Sequence, residues 1–440
     1  MSKQPAVGFI SLGCPKALVD SERILTQVSA DGYRITADYQ DADVVVVNTC
    51  GFINSAVEES MDAINEAMRK NGKVIVTGCM GNKPEEILAR YPDVLAITGA
   101  QKYEEVMQAI HKAVAKPLKN PHLDLIPDCG LKLTPRHYAY LKISEGCDHK
   151  CSFCIIPDLR GKLESRPISK ILREAAGLKK SGVQEILLVA QDTAAYGADL
   201  HYAEDTFRGK KYRQDLLTLL EELSQLGIWI RLHYLYPYPI IEPLVEMMAA
   251  GKILPYLDIP FQHASERILR SMRRPGNIEK TVERIENWRK ICPDLCIRST
   301  FIVGFPGETD DDFAVLLDFI EAAKINRAGC FSYSAIDGAA ANQLENQIPE
   351  EIKEERREIF MQKQAEISRE LLEEKIGEVL PVIIDEVDVE NQSAVGRTAY
   401  DAPEIDGIVH IDGIEGVASG EIVNIEIEDS DAHDLYGKVF

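Results

Sequence analysis

The chain opens by repeating one pattern: a short apolar run, a turn holding a cysteine, then an amphipathic stretch of helical period. The apolar runs at 7–12, 44–47 and 74–76 are strand-sized, and Cys14, Cys50 and Cys79 follow them at equivalent places. Strands alternating with helices predict a parallel, doubly wound α/β sheet whose strand carboxyl ends share one edge. Ligands gather at that edge. Three cysteines far apart in sequence therefore have a fold able to bring them together. Taken singly, each reads equally well as a small buried residue at a strand end.

Pro117, Pro121, Pro127 and Pro135 interrupt the pattern, with no sustained apolar period between them, and mark a boundary. Beyond it come strand candidates at 140–143, 185–189, 230–234, 257–259, 297–303 and 329–333, most of them separated by amphipathic helical stretches. Six such units predict an open, partial β/α barrel rather than a complete eight-stranded one. Residues 349–374 read as a long charged helix, opened by Pro349 and stopped near Gly377. The remainder holds short β-rich runs at 379–384, 407–411 and 422–427, which predict a small all-β barrel or sandwich, with Pro381 at a sheet edge. The expected domains are residues 1–130, 131–372 and 373–440.

Length agrees with this division, since 440 residues at about 150 per domain suggests roughly three. Nothing near Met1 resembles a secretory leader, and the apolar runs fall short of the roughly 20 residues that a bilayer span needs. A soluble cytoplasmic protein without membrane contact is expected. In that reducing compartment the ten cysteines are unlikely disulfide partners, and those at ligand spacing read first as metal sites. The net charge of −22 disfavours partners gripped mainly through phosphates. The imbalance is steepest from Ile376 onward, where Arg397 and Lys438 stand against sixteen acidic residues.

The densest chemistry lies at Cys147, Cys151 and Cys154, spaced C-x3-C-x2-C in a loop that opens Glu145-Gly146 just after a strand. Thiolates are soft ligands for iron-sulfur clusters or zinc, and three within eight residues can wrap one face of a cluster. Three ligands leave one iron of a 4Fe-4S cluster open to S-adenosylmethionine. The alternative is a three-Cys, one-His zinc site with His149 or a distant residue as the fourth ligand, although zinc motifs more often pair two C-x-x-C knuckles and no second knuckle follows. Cys129, Cys292, Cys296 and Cys330 read as ordinary cysteines, and Pro293 separates the middle two.

With these residues in view, the loop resembles the signature of the radical S-adenosylmethionine superfamily. The segment Thr300-Phe301-Ile302-Val303-Gly304-Phe305-Pro306-Gly307-Glu308-Thr309 is similar to that superfamily's fifth-strand motif, which contacts adenine through backbone. The resemblance implies cofactor contacts at Gln191, Gln262, Arg298, Gly304, Gly307 and Glu308, with Asp192 and His263 beside them. Cys14, Cys50 and Cys79, coupled to such a domain, resemble the methylthiotransferase family, whose amino-terminal domain carries a second three-cysteine 4Fe-4S cluster and whose carboxyl-terminal domain is a TRAM module.

Within that family, Ser11-Leu12-Gly13-Cys14-Pro15-Lys16, Val19-Asp20-Ser21-Glu22 and Asn48-Thr49-Cys50-Gly51-Phe52-Ile53 resemble the branch that modifies an aspartate of protein twelve of the small ribosomal subunit. Ala17 departs from that branch's usual Asn. The branch acting on tRNA adenosine usually carries an Arg within the segment matching Tyr333-Ser334-Ala335-Ile336-Asp337-Gly338, and none stands there. An acidic TRAM module also suits a Lys- and Arg-rich ribosomal protein better than RNA.

The resemblance implies this mechanism: the cluster on Cys147, Cys151 and Cys154 reduces S-adenosylmethionine, the 5'-deoxyadenosyl radical takes hydrogen from the aspartate β-carbon, and the second cluster delivers sulfur. A further S-adenosylmethionine supplies the methyl group. A flavodoxin-type reductant and a sulfur donor are the implied partners, besides the basic ribosomal protein, free or on the ribosome. The rival expectations are a tRNA methylthiotransferase and a non-enzymatic iron-sulfur or zinc protein that binds the ribosome.

Overall fold

Val44, Val45, Val46 and Val47 are all fully buried, as in a strand covered on both faces. They belong to strand β3 (Val44–Thr49), one of five parallel strands with β1 (Ala6–Ser11), β2 (Arg34–Thr36), β4 (Val74–Gly78) and β5 (Ala96–Ile97) in the order β2-β1-β3-β4-β5. Val7, Val44, Val46 and Ile75 pack on one face with Ile24, Val106 and Ile110; Val45, Val47, Val74 and Val76 pack on the other with Met61 and Ile64. The sheet is doubly wound, and its strand order reverses between β1 and β3. A computed structural model describes residues 4–117, 130–276, 278–414 and 416–440. Pro121, Pro127 and Cys129 lie outside the described residues.

The second unit is an open sheet of six parallel strands in sequential order. It comprises β6 (Tyr138–Lys142), β9 (Glu185–Val189), β12 (Trp229–Leu232), β13 (Tyr256–Asp258), β14 (Cys296–Val303) and β15 (Arg327–Ser332). These strands match the six expected from the apolar pattern to within a few residues at their ends. Alternation along β14 sends Phe301 outward against Phe319 and Phe360, and Arg298, Thr300 and Ile302 toward the concave side. Two small ribbons decorate the unit, β7 (Ser144–Glu145) with β8 (Glu164–Ser165), and β10 (Glu204–Phe207) with β11 (Lys210–Arg213). The long helix Glu350–Glu373 covers β15 and leads to the third unit.

That third unit is a closed barrel of β16 (Val379–Asp388), β17 (Ser393–Thr398), β18 (Val409–Asp412), β19 (Ile422–Ser430) and β20 (Leu435–Val439). Closure corrects the expectation for Pro381, because β16 pairs with β17 on one side and β19 on the other. Pro381 is opposite Asn424 of β19, but the ladder to β17 starts one residue later at Val382. The missing N–H is thus accommodated within a strand that has no free edge.

Part of the acidity of the barrel is internal. Arg397 is buried and grips Asp385 with two bonds of 2.7 and 2.9 Å while its Nη1 donates to Glu185 of β9 at 2.7 Å. Arg231 donates to the other oxygen of Glu185 at 2.7 Å, and Arg327 and Arg298 reach Asp401 and Asp406. The pairs Arg397–Glu185, Arg327–Asp401 and Arg298–Asp406, with His137 just before β6 on Asp385, therefore dock the barrel onto the central sheet. Removing one member of a buried ion pair costs about 3–5 kcal/mol, because the partners stay buried and unmatched. Glu185→Gln leaves two guanidiniums against a neutral amide, and a loss of stability of about that size is expected. Denaturant titration followed by tryptophan emission checks it, since Trp229 packs against the cluster of Tyr256, Cys296 and Ala402 at this contact.

Candidate active site

The loop after β6 is fixed by backbone before any ligand is considered. Gly146 has a φ of 72°, and a Cβ there would run into the Lys162 carbonyl, so the turn requires glycine. The Cys147 N–H donates to Gly161 O at 3.1 Å, and Ser152 is pinned by Met272 O, Ser271 O and the Ala341 N–H. Burial pushes the Cys147 thiol up to about 11, with Asp192, Cys151 and Asp148 adding to the shift. Burial likewise pushes Cys154 up to about 12, reinforced by Cys151 and Cys147. The three sulfurs thus lie within electrostatic reach of one another, and without a cation two of them stay protonated at neutral pH. A bound metal would reverse that balance.

His149 does not complete this triplet in the way a zinc site requires. Its ring stacks on Tyr236 at 3.9 Å, and its Nε2 is engaged by Asp192 at 2.8 Å and Tyr238 at 2.9 Å. Among the described residues no three His, Cys, Asp or Glu side chains gather around a single ion-sized position.

The second triplet sits at the carboxyl ends of β1, β3 and β4, with Cys14 and Cys50 flanking the point where the strand order reverses. That is the ligand crevice of an open parallel sheet. Gly13, with a φ of 96°, brings its Cα so close that an added Cβ would lie 3.0 Å from Cys50 Cβ. The Cys50 backbone is clamped by Ser60, whose Oγ accepts its N–H at 3.0 Å and donates to its carbonyl at 2.9 Å. Burial raises the Cys50 thiol, with Cys79 and Cys14 contributing, and burial raises Cys79 against the opposing Arg160. At Cys14 burial also opposes ionisation, but Lys16 and Arg160 outweigh it and lower the thiol.

Between the two triplets runs a buried network that the sequence reading missed. Lys142 Nζ donates to Asp20 and, at 2.6 Å, to Glu145; Arg160 Nη1 donates to Asp20 at 3.1 Å and Glu145 at 2.9 Å. Two cations thus meet two carboxylates, all buried. Arg160 also reaches Cys79, its Nε donating to Sγ at 3.3 Å. The available signal was a set of charges in otherwise apolar surroundings: Lys142 ends the all-buried strand β6, and Asp20 lies on the buried side of helix Pro15–Ala30.

The expected cofactor contacts divide. Gln191 follows β9, donates to Glu145, and leaves its buried Oε1 without a partner. Gln262, with a φ of 73°, bridges to Phe301 beside β14, and its N–H donates to Thr300 O. Gly304 and Gly307, with φ of 68° and 81°, shape the turn after β14, and a Cβ on Gly304 would strike Lys353. Glu308 departs from the expectation of a direct contact. Its carboxylate accepts from the Gly304 N–H (3.0 Å), Arg356 (2.8 Å) and His263 Nε2 (3.2 Å). His263 Nδ1 accepts the Ser265 N–H, which fixes Nε2 as the donor. Glu308 thereby holds the glycine turn. Arg298 departs too: it is the third residue of eight-residue β14, far from its carboxyl end, and pairs with Asp258 and Asp406.

Residues 141–320 match the Radical SAM superfamily, residues 6–99 the Uncharacterized protein family UPF0004, and residues 376–440 the TRAM domain. The chain is 60% identical to the ribosomal protein uS12 methylthiotransferase RimO of Stenotrophomonas maltophilia (strain R551-3), covering 98% of this chain and 95% of that one. The chain belongs to the RimO methylthiotransferase family. Its relatives include the protein of that name from Vibrio cholerae, 56% identical over 98% of this chain and 92% of that one. The one from Xanthomonas axonopodis pv. citri is 59% identical, with 98% and 94% covered. Among solved structures, the radical S-adenosylmethionine methyltransferase TsrM of Kitasatospora setae, with substrate and a cofactor analogue bound, shares the fold at a TM-score of 0.55. That likeness spans 95% of this chain and 82% of that one at 13% identity. The family thus joins a radical S-adenosylmethionine domain to an amino-terminal sheet and a TRAM barrel, as the three sheets of this chain are joined.

The donor chemistry fits iron-sulfur clusters. Each triplet offers thiols alone, within mutual electrostatic reach, at the ligand-binding edge of a parallel sheet. Buried polar atoms without protein partners, Arg160 Nη2, Gln191 Oε1 and Ser144 Oγ, lie in or beside the network that joins the triplets.

Proposed function

We propose that this chain is a radical S-adenosylmethionine methylthiotransferase that inserts sulfur and a methyl group at the β-carbon of one aspartate of ribosomal protein uS12. The observation that carries the reading is 60% identity across 98% of the chain to a protein named for that activity, with a cysteine triplet at each of two sheet edges. Cys147, Cys151 and Cys154 would hold the cluster that leaves an iron for S-adenosylmethionine, and Cys14, Cys50 and Cys79 the auxiliary one. When bound, these groups supply one-electron chemistry, which the target needs because aspartate β-hydrogens are too weakly acidic for side-chain bases.

The chain's own residues supply position. Glu308, held by Arg356 and His263, keeps the Gly304–Gly307 turn in the shape that lets backbone approach a nucleoside. His149, Tyr236, Tyr238 and Asp192 wall the cysteine loop and limit water. The domains we propose are 1–130 for the auxiliary cluster, 131–372 for the radical core and 373–440 for substrate recognition. A flavodoxin-type reductant, a sulfur donor and a cytoplasmic site of action complete the reading. No helix among the described residues is long and apolar enough to cross a membrane.

Acidity supports uS12 over tRNA as the target. Of the two basic residues in the TRAM barrel, Arg397 is buried and Lys438 is paired with Glu426 and Glu428. The exposed face, with Asp388, Glu390, Asp412, Glu421 and Glu428, repels phosphate and suits a Lys- and Arg-rich partner. Mass spectrometry of small-subunit proteins from cells with and without the gene tests this. The expected result is one methylthio substituent on one uS12 aspartate, present only with the gene. An unmodified uS12 accompanied by gene-dependent methylthiolated tRNA would overturn it.

A further inference from the structure

Arg160 ends the short helix Ile156–Arg160 directly after Cys154, yet its guanidinium belongs to the other triplet's surroundings. Its side chain is 2% exposed, and three of its contacts are set by the protein. Nη1 is saturated by Asp20 and Glu145, and Nε points at Cys79 Sγ. Nη2 alone is buried without a partner. In a planar guanidinium, the Nε–H and one Nη2–H share an edge and point the same way. The edge that meets Cys79 therefore carries a second donor with nothing on the protein to receive it. Burying an unpaired donor costs about 1–3 kcal/mol, so such a group marks a partner missing from the protein itself.

We propose that Arg160 is the positioning residue of the auxiliary site: Nε donates to the Cys79 thiolate and Nη2 to a non-protein sulfur held by Cys14, Cys50 and Cys79. This rests on the reading that those cysteines hold an iron-sulfur cluster. Arg160 is suited to the task because Asp20 and Glu145 fix its far edge, leaving no rotational freedom at the near one. Lys142 shares both carboxylates, so the four charges balance and Arg160 is held in place without a net excess inside the protein. The same residue ties the auxiliary site mechanically to the loop of Cys147, Cys151 and Cys154, because its helix starts at Ile156, just after Cys154.

Hydrogen bonds and positive charge at cluster sulfurs favour the reduced state. The test uses the full-length chain with Cys147→Ala, Cys151→Ala and Cys154→Ala, so that only the auxiliary triplet can load, and adds Arg160→Lys or Arg160→Gln. Iron and sulfide content and the midpoint potential are measured after anaerobic reconstitution, with circular dichroism to verify folding. Arg160→Lys keeps the charge that Asp20 and Glu145 need but loses the two-donor edge, and the potential is expected to shift negative. Arg160→Gln loses the charge as well and is expected to shift it further. Loss of iron from a folded Arg160→Lys chain also supports the inference, because all three ligands remain. Full loading with an unchanged potential in both variants would overturn it alone. Absence of iron from the parent carrying an intact Arg160 would overturn both it and the assignment of the auxiliary triplet.

Discussion

Cys147→Ala is expected to abolish reductive cleavage of S-adenosylmethionine, lowering 5'-deoxyadenosine release by at least about 10³-fold, or roughly 4 kcal/mol in the barrier. The reasoning is that two thiols cannot hold a cluster whose one remaining open iron must chelate the cofactor. The loop itself should survive the change. Its anchor at this position is the Cys147 N–H to Gly161 carbonyl bond, which alanine retains, and Ser152 carries three further anchors. The thiol is only half-buried, so the lost packing amounts to about 1 kcal/mol or less. A folded chain that still releases 5'-deoxyadenosine under dithionite, measured by chromatography, would remove the first triplet from its role.

What the sequence made legible follows from what each feature depends on. The six strands of the central sheet were visible because each is a run of apolar residues between amphipathic helices, and sequential parallel order follows from short right-handed crossovers. In the amino-terminal sheet the three strands bearing cysteines were visible, but β2 and β5, of three and two residues, carry too little apolar pattern to read. The cysteine loop was legible because its three cysteines are neighbours in sequence. The meeting of Cys14, Cys50 and Cys79 needed the fold, and the sheet's reversal between β1 and β3 supplies it.

Charge was harder to read than hydrophobicity, because a sequence does not say which charges are internal. The sixteen acids of the carboxyl-terminal region looked like one interaction surface. Three of them instead join the barrel to the central unit, Asp401 and Asp406 through Arg327 and Arg298, and Asp385 through His137 just before β6. Arg298 was expected beside the cofactor for the same reason, since its position near a strand gives no warning of a partner 108 residues away. Glu308 shows the converse. It was expected as a cofactor contact from its place in a glycine-rich motif, and its carboxylate is engaged in fixing the turn. Lys142, Glu145 and Arg160 lie within one stretch of the chain, but Asp20 comes from the amino-terminal unit, and the four charges make sense only together.

Cys50→Ala is expected to separate the two halves of the reaction: 5'-deoxyadenosine release continues while methylthiolation of uS12 is lost, again by at least about 10³-fold. The radical half should persist because, among the described residues, no hydrogen bond or ion pair joins the Cys147 loop to Cys50; the physical bridge between the triplets runs through Arg160 to Cys79 instead. The local fold should persist as well. Ser60 grips the Cys50 backbone from both sides without using the thiol, and alanine keeps the Cβ against which Gly13 packs. What alanine removes is one of three sulfurs that share the crevice between β1 and β3, and two sulfurs do not retain a cluster there. The measurement is simultaneous: chromatography for 5'-deoxyadenosine and mass spectrometry for the uS12 aspartate in one reaction. Loss of both products would mean that the triplets act as a single unit rather than in sequence. Normal methylthiolated uS12 would remove Cys14, Cys50 and Cys79 from sulfur delivery altogether and leave their convergence at the sheet edge a feature of packing alone.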